Sequence, residues 1–276
     1  RVRRETQGPV PRGVSATETA AARLASLISE ADSVVALTGA GISVPSGIPD
    51  FRSPGTGLWA NVDPMEVAHI DAFRRDPARF WSFYGQRFQT LGDKQPNRAH
   101  AALVELERAG LLDAVITQNI DRLHERAGTR NLVEVHGSIS HSSCLVCRSR
   151  YELEDVRRRV ESAPDGVPRC DCGAPLKPDV VLFGEYLPVD ALARAEMLAT
   201  GAEVMLCIGS SLEVYPVAQL PETTLSAGGA IAILTQSRTP FDRHAAVRMN
   251  GDVVDELESV LAALDLSIPA APSPEP

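Results

Sequence analysis

Short apolar runs punctuate this chain, and stretches of helical period separate several of them. The runs fall at 33–38, 113–117, 180–183, 204–208 and 230–234, with a weaker one at 252–254. Most are continuous rather than alternating, as expected of strands in a parallel sheet covered on both faces. Helical patterns at 97–109 and 188–200 lie between them. Strand and helix in alternation predict an α/β fold with a Rossmann-like doubly wound parallel sheet. A further helix is expected over 17–30, where Leu24, Leu27 and Ile28 share a face and Ser15 with Glu18 fits a capping box.

Two segments break the alternation. Residues 60–91 read as two helices carrying an aromatic stripe of Phe80, Phe83, Tyr84 and Phe88, and residues 138–178 hold most of the cysteines and little apolar sequence. Both are expected to leave the main sheet and form a smaller, partly helical second domain. The sheet domain is then discontinuous, built from 15–59, 92–137 and 179–264. Residues 1–14 and 265–276, rich in Pro, are expected to be loose tails.

Composition narrows the function. A net charge of -9 argues against a nucleic-acid binder, since phosphate binding needs a basic face. No apolar run approaches the roughly 20 residues that cross a bilayer, and no apolar segment follows the basic start, so a cytoplasmic location is expected. Cys144, Cys147, Cys170 and Cys172 form two close pairs, a spacing that reads as metal binding rather than disulfides in a chain of this kind. Cys207 lies alone in an apolar run and reads as core.

Small and polar residues follow four of the strand candidates: Gly39-Ala40-Gly41-Ile42-Ser43, Gln118-Asn119-Ile120-Asp121, Gly209-Ser210-Ser211 and Thr235-Gln236-Ser237. Ligands of open α/β sheets bind at that rim, and glycines let backbone amides approach a phosphate. A nucleotide crevice is therefore expected. The Gly-x-Gly alone is a weak sign, because the third glycine of the dinucleotide fingerprint is missing and no acidic residue ends a second strand about 20 residues on; a tight turn would explain it as well.

Gly39 to Ser43, followed by Ser46-Gly47-Ile48-Pro49-Asp50-Phe51-Arg52, resembles the sirtuins, the NAD-dependent protein deacylases. The resemblance continues through Thr117-Gln118-Asn119-Ile120-Asp121, Glu134-Val135-His136-Gly137, 178–185 and Gly209-Ser210-Ser211, in family order from about 33 to 255. It implies that NAD is a co-substrate whose nicotinamide is displaced by the acyl oxygen of a modified lysine. The products would be nicotinamide, free lysine and O-acyl-ADP-ribose. On the same ground the loop from Ala40 to Arg52 closes over NAD. Asp50 and the Ile48 backbone hold the carboxamide, and Phe51 shields the ribose. Gln118 and Asn119 contact the ribose, Asp121 supports the nicotinamide pocket, and Ser43, Ser210 and Ser211 meet phosphate or ribose. Gly39, Gly41, Ile42, Pro49, Ile120, Gly209, Thr235, Gln236, Asp252 and Val253 complete the implied cofactor set; Thr235 stands where the family often has Asn. His136 is the implied general base, a role suited to an imidazole whose ordinary pKa lies near working pH, and Asn119 joins it as catalytic.

The acylated lysine is implied to enter as a strand between Phe183-Gly184-Glu185 and Glu213-Val214, pairing by backbone hydrogen bonds. The cysteines resemble the family's structural zinc site, with four thiolates closing a tetrahedron. Here the second pair is Cys170-Asp171-Cys172, one residue shorter than the usual Cys-x-x-Cys. Tyr84 and Arg87, three apart on one helix face, match the Tyr-x-x-Arg of class III sirtuins, and Ala68 matches their small upstream residue. An arginine fork with a phenol suits an acidic acyl group such as succinyl or malonyl; the alternative is that Tyr84 packs on Phe80 and Arg87 is solvated. Two other functions use the same residues, a protein ADP-ribosyltransferase and a silent NAD or ADP-ribose binding module.

Overall fold

The computed structural model describes residues 19–50 and 63–269, and leaves aside the side chains of Pro64, Gln86, Arg87 and Gln89. Along the chain run α1 (Ala20–Glu30), β1 (Val34–Thr38), α2 (Pro64–Val67), α3 (Ile70–Arg75), α4 (Pro77–Asp93), α5 (Arg98–Arg108), β2 (Ala114–Thr117) and α6 (Leu123–Ala127). Then come β3 (Leu132–Glu134), β4 (Gly137–Cys144), β5 (Arg150–Glu152), α7 (Leu153–Ser162), β6 (Leu176–Val180) and α8 (Val189–Gly201). The last are β7 (Val204–Ile208), α9 (Leu220–Ser226), β8 (Ala230–Leu234), β9 (Ala245–Met249) and α10 (Val253–Ala263).

Six strands form one parallel sheet in the order β3-β2-β1-β7-β8-β9. The period of two explains its continuous apolar runs. In β1, Val34 and Ala36 join a core with α1, α5 and α10, while Val35 and Leu37 join another with α8 and α9. Each buried aliphatic side chain contributes about 1.5–3 kcal/mol, more than local propensity differences, so burial on both faces decides the fold. Cys207 lies in the second of these cores, 1% exposed.

The segments expected to leave the sheet build a separate core. Phe73, Phe80, Trp81, Tyr84 and Phe88 pack on Ile139, Leu153, Val156 and Leu176. A three-stranded antiparallel sheet, ordered β5-β4-β6, backs them. The Trp81 indole N–H donates to the Leu176 carbonyl at 2.9 Å, tying α4 to β6.

The structure corrects several expectations. The helix start is α1, capped by the Thr19 hydroxyl on the Ala22 amide; the Ser15 and Glu18 box lies outside the described residues. The run at 180–183 is not a strand of the main sheet. Its first residue ends β6, where Pro178 is tolerated because β6 is an edge strand, and Phe183 makes only an isolated bridge to His69. The run at 252–254 starts α10, because the Asp252 carboxylate accepts from the Val254 amide and acts as N-cap. The sixth strand is instead β9, a half-buried edge. The described part of 60–91 holds three helices rather than two.

Candidate active site

The strand ends of β1, β2 and β7 meet at one rim. The glycines there pack backbone against backbone. The Gly39 amide donates to the Ile208 carbonyl (2.9 Å) and the Gly41 amide to the Gly209 carbonyl (2.8 Å). A Cβ on Gly41 would sit 2.7 Å from Gly209 Cα, and one on Gly209, whose φ is +61°, would sit 2.3 Å from the Ile42 nitrogen. Two turns thus interlock backbone to backbone, and the Gly39 and Gly41 amides are spent within the protein. The segment Ala40–Ser46 that follows is a 3-10 helix with Pro45 inside it. It is anchored from below, where Asn97, which caps α5, donates its amide to the Ile42 carbonyl at 2.8 Å.

A buried polar network lies on this rim. The Ser43 hydroxyl donates to Asp121 Oδ2 at 2.7 Å, and the Asn119 amide Nδ2 donates to Ser43 Oγ and to the Gly39 carbonyl, both at 3.1 Å. Asp121 Oδ1 accepts from the Leu123 amide at 2.9 Å. Burial pushes the Asp121 carboxyl pKa up, and the hydrogen bonds from Leu123 and Ser43 oppose it. Gln118 spans two strand ends, its Nε2 donating to Ser210 Oγ at 2.9 Å. Beneath it, Thr38 donates to Thr117 Oγ1 (2.8 Å) and contacts His124 Nε2 (2.9 Å), so His124 is part of the floor, as a structural residue would be.

His136 follows β3 and faces the same space. Its Nδ1 lies 3.0 Å from the Gln118 carbonyl. A carbonyl only accepts, so this nitrogen carries the proton and Nε2 is left as the basic one. Burial lowers the pKa of the ring, and the bond to Gln118 opposes that. The neighbouring carboxyl of Glu134 is pushed up to about 7 by burial, a feature that only the fold reveals.

A cleft of about 1530 Å³ joins these residues to the second core. Single small-molecule sites run to about 300–1,000 Å³, and this cleft is larger. Of the expected cofactor residues, Gly39, Ala40, Gly41, Ser43, Ile48, Pro49, Asp50, Gln118, Asn119, Ile120, Asp121, Gly209, Ser210, Ser211 and Thr235 line it, with His136. Ile42 is buried in the core beneath. Gln236, Asp252 and Val253 are not among the lining residues, and the Asp252 carboxylate is committed to its cap. Phe51 and Arg52 lie outside the described residues.

All five expected peptide-side residues, Phe183, Gly184, Glu185, Glu213 and Val214, line the cleft, as do Ala68 and Tyr84. The Phe183 backbone is already used: its amide donates to the Ala68 carbonyl and its carbonyl accepts from the Ile70 amide, each at 2.9 Å. The next residue, Gly184, has φ +82°, and a Cβ there would meet the His69 ring at 2.6 Å. Tyr84 stacks on Phe88 with centroids 5.3 Å apart and also packs on Phe80. Arg87 lies on the same helix, its side chain outside the description. Sequence reasoning passed over Lys94 and Arg238, which also line the cleft; they carry no motif and are brought there by the fold.

The four clustered cysteines converge on one another and do not line the cleft. Their sulfurs all lie within 4.8 Å of one another, and the Cys144–Cys172 and Cys147–Cys170 pairs are 3.6 and 3.3 Å apart. A tetrahedron with zinc–sulfur bonds of about 2.3 Å has edges near 3.8 Å. The set therefore fits a structural zinc ion, the shortened Cys170-Asp171-Cys172 included. The amides of Val146 and Cys147 also point at Cys144 Sγ, at 3.4 Å each. Among the described residues no helix is long and apolar enough to cross a membrane.

Comparison with known proteins agrees with this geometry. The model of the Sir2 family matches residues 39–216. An NAD-dependent protein deacetylase of Sulfolobus acidocaldarius is 47% identical over 82% of this chain and 87% of its own length. The NAD-dependent protein deacylase 1 of Archaeoglobus fulgidus is 44% identical over 85% of this chain and 95% of its own. A solved Sir2 variant with a deacetylated p53 peptide and 3′-O-acetyl ADP-ribose superposes with a TM-score of 0.84. It is 42% identical, and the match covers 88% of this chain and 98% of that one.

Proposed function

The chain belongs to the Sir2 family, and from that premise we propose that it consumes NAD to remove acyl groups from lysine side chains of other proteins. The observation that carries the reading is the meeting of Ser43, Asn119, Asp121 and His136 at one rim of a cleft that also reaches Phe183, Gly184 and Val214. The dinucleotide lies along the ends of β1, β2, β7 and β8, with its nicotinamide end toward Asp121 and its adenosine toward Ser210 and Thr235. Ser43 holds Asn119 and Asp121 in place, so the pocket for the leaving nicotinamide is fixed before it binds. The neutral His136 Nε2 takes a proton from a ribose hydroxyl, which becomes the group that receives the acyl carbon. Cys144, Cys147, Cys170 and Cys172 would hold zinc as a structural ion and do not line the cleft. Four reduced thiols side by side also suit the cytoplasm.

The peptide runs between Gly184-Glu185 and Glu213-Val214. With Phe183 committed to Ala68 and Ile70, the free backbone groups for pairing begin at Gly184. Ala68 and Tyr84 line the acyl end of the cleft, which supports acceptance of acidic acyl groups through Tyr84 and Arg87 beside acetyl. NAD labelled on the adenosine tests the whole reading. Label recovered in free O-acyl-ADP-ribose, in step with peptide deacylation, is expected. Label retained on protein would make the chain a transferase, and nicotinamide release without deacylation would also discard the proposal. On a panel of acetyl-, succinyl- and malonyl-lysine peptides, Arg87→Met should lose far more activity on the acidic groups; equal losses would remove the acidic-acyl part.

A further inference from the structure

The strand β6 ends in the segment that borders the peptide side of the cleft, and a charged side chain inside β6 faces that segment. Lys177 is 8% exposed. Its ammonium donates to the Pro178 carbonyl (3.2 Å) and the Val180 carbonyl (2.9 Å), and it pairs with Glu185 Oε2 at 2.8 Å. An ammonium has three donors, and all three are used on residues 178–185. The same Glu185 oxygen accepts from the Leu182 amide at 2.9 Å, and the Glu185 amide returns a bond to the Leu182 carbonyl at 3.0 Å. One lysine and one glutamate therefore close the turn on which Gly184 stands.

Stability alone does not call for this pair. Placing an ammonium in a strand interior carries a desolvation cost, and replacing a whole buried ion pair by apolar residues of similar volume is often neutral or stabilising. Position is what the charge supplies. Without it, the Glu185 carboxylate, whose side chain is 24% exposed, is free to turn to water and leave the Leu182 amide without its acceptor. The sequence reading assigns Glu185 to a segment that pairs with substrate through its backbone; its carboxylate meets Lys177.

We infer that Lys177 and Glu185 are positioning residues that hold the Gly184 edge in register for backbone pairing with the substrate strand. The inference rests on the reading of the cleft as an acyl-lysine peptide site. The test uses the full chain, an acetyl-lysine peptide and NAD, with binding of each measured separately and steady-state constants beside them. In Lys177→Met the peptide Kd and KM should rise about tenfold, the scale of one lost charge-assisted bond. NAD affinity and kcat at saturating substrates should stay within about twofold, although the melting temperature falls because Glu185 and two carbonyls lose their donor. Glu185→Gln keeps an acceptor for Leu182 and should give a smaller rise in peptide KM. Lys177→Arg should recover part of the loss. Peptide and NAD constants that move together, or a folded Lys177→Met that binds peptide as the parent does, would overturn the inference. If Lys177→Met does not fold, Glu185→Gln carries the test by the same criteria. A parent protein that binds no acyl-lysine peptide would instead overturn the deacylase reading on which the inference stands.

Discussion

Removal of the Ser43 hydroxyl tests the buried network at its centre. Ser43 is 0% exposed and Asp121 is 6% exposed. Ser43→Ala deletes the 2.7 Å bond to Asp121 and one of the two acceptors of the Asn119 amide, which keeps the Gly39 carbonyl. A hydrogen bond to a charged group is worth about 1.5–3 kcal/mol and one to a neutral group about 1 kcal/mol. The cost therefore depends on whether Asp121 is ionised. Its folded pKa is raised by burial, so the folded state binds the proton more tightly than the unfolded chain. Stability then falls as pH rises from the ordinary carboxylate range toward the folded pKa. The Ser43 bond opposes that rise, and its loss widens the window. The variant should trail the parent by about 1 kcal/mol at acid pH, where Asp121 is protonated in both states, and by about 2–3 kcal/mol above the folded pKa. Urea unfolding of both proteins without NAD, at pH values from acid to neutral and with m-values compared, reads this directly. A deficit that stays constant across pH would refute the assignment of a buried, Ser43-stabilised carboxylate.

Three further outcomes follow from the same geometry. Gly209→Ala should cost about 2–4 kcal/mol, from a positive φ together with a Cβ 2.3 Å from the Ile42 nitrogen. Gly110→Ala, with φ +73° and nothing within 4 Å, should cost only about 1 kcal/mol by the φ penalty alone, and equal costs in urea unfolding would remove the interlock argument. For His136, burial lowers the ring pKa, so the neutral base persists to lower pH than free imidazole allows. The acid limb of the peptide kcat/KM should then fall below about 6.5, and a limb at higher pH that vanishes in no His136 variant would exclude it as the base. Stripping metal with a strong chelator should lower the melting temperature while zinc appears in the chelate; a purified protein with no metal, equally stable before and after, would discard the zinc assignment.

The sequence disclosed the elements whose cause is local. β1, β2, β7 and β8 are continuous apolar runs because both faces of the sheet are covered, and α5 and α8 carry helical period and lie where expected. Elements whose cause is tertiary were hidden. β9 is an edge strand with Arg248 in it, and β3 spans only Leu132–Glu134; neither is long enough or apolar enough to stand out. The run at 180–183 misled because an apolar stretch does not say which sheet it joins, and at 252–254 a capping Asp ahead of two valines imitates a strand. The site was legible where motifs are contiguous, as at Gln118–Asp121 and Gly209–Ser211. It was not legible where two distant side chains meet, as with Gln118 and Ser210 or Lys177 and Glu185. The glycine pair at 39 and 41 stood out in the sequence, but its packing against Gly209 is a property of two strand ends brought together.

His136 shows why the two substrates can be held in register at one place. Its ring bonds the Gln118 carbonyl at 3.0 Å, on the rim read as the dinucleotide side, while its own carbonyl accepts from the Val181 amide at 2.8 Å, on the segment leading to Gly184. The side chain is thereby oriented by the parallel sheet, and the main chain of the same residue anchors the edge built by β6. A base carried on a loop of either part alone would track only one substrate, and an error of about 1 Å between reacting groups can cost a hundredfold in rate. Joining the two parts through the backbone of the residue proposed to transfer the proton removes one source of that error. On that proposal it also accounts for the position of His136 at the junction of β3 and β4, where the chain passes from the parallel sheet into the antiparallel one.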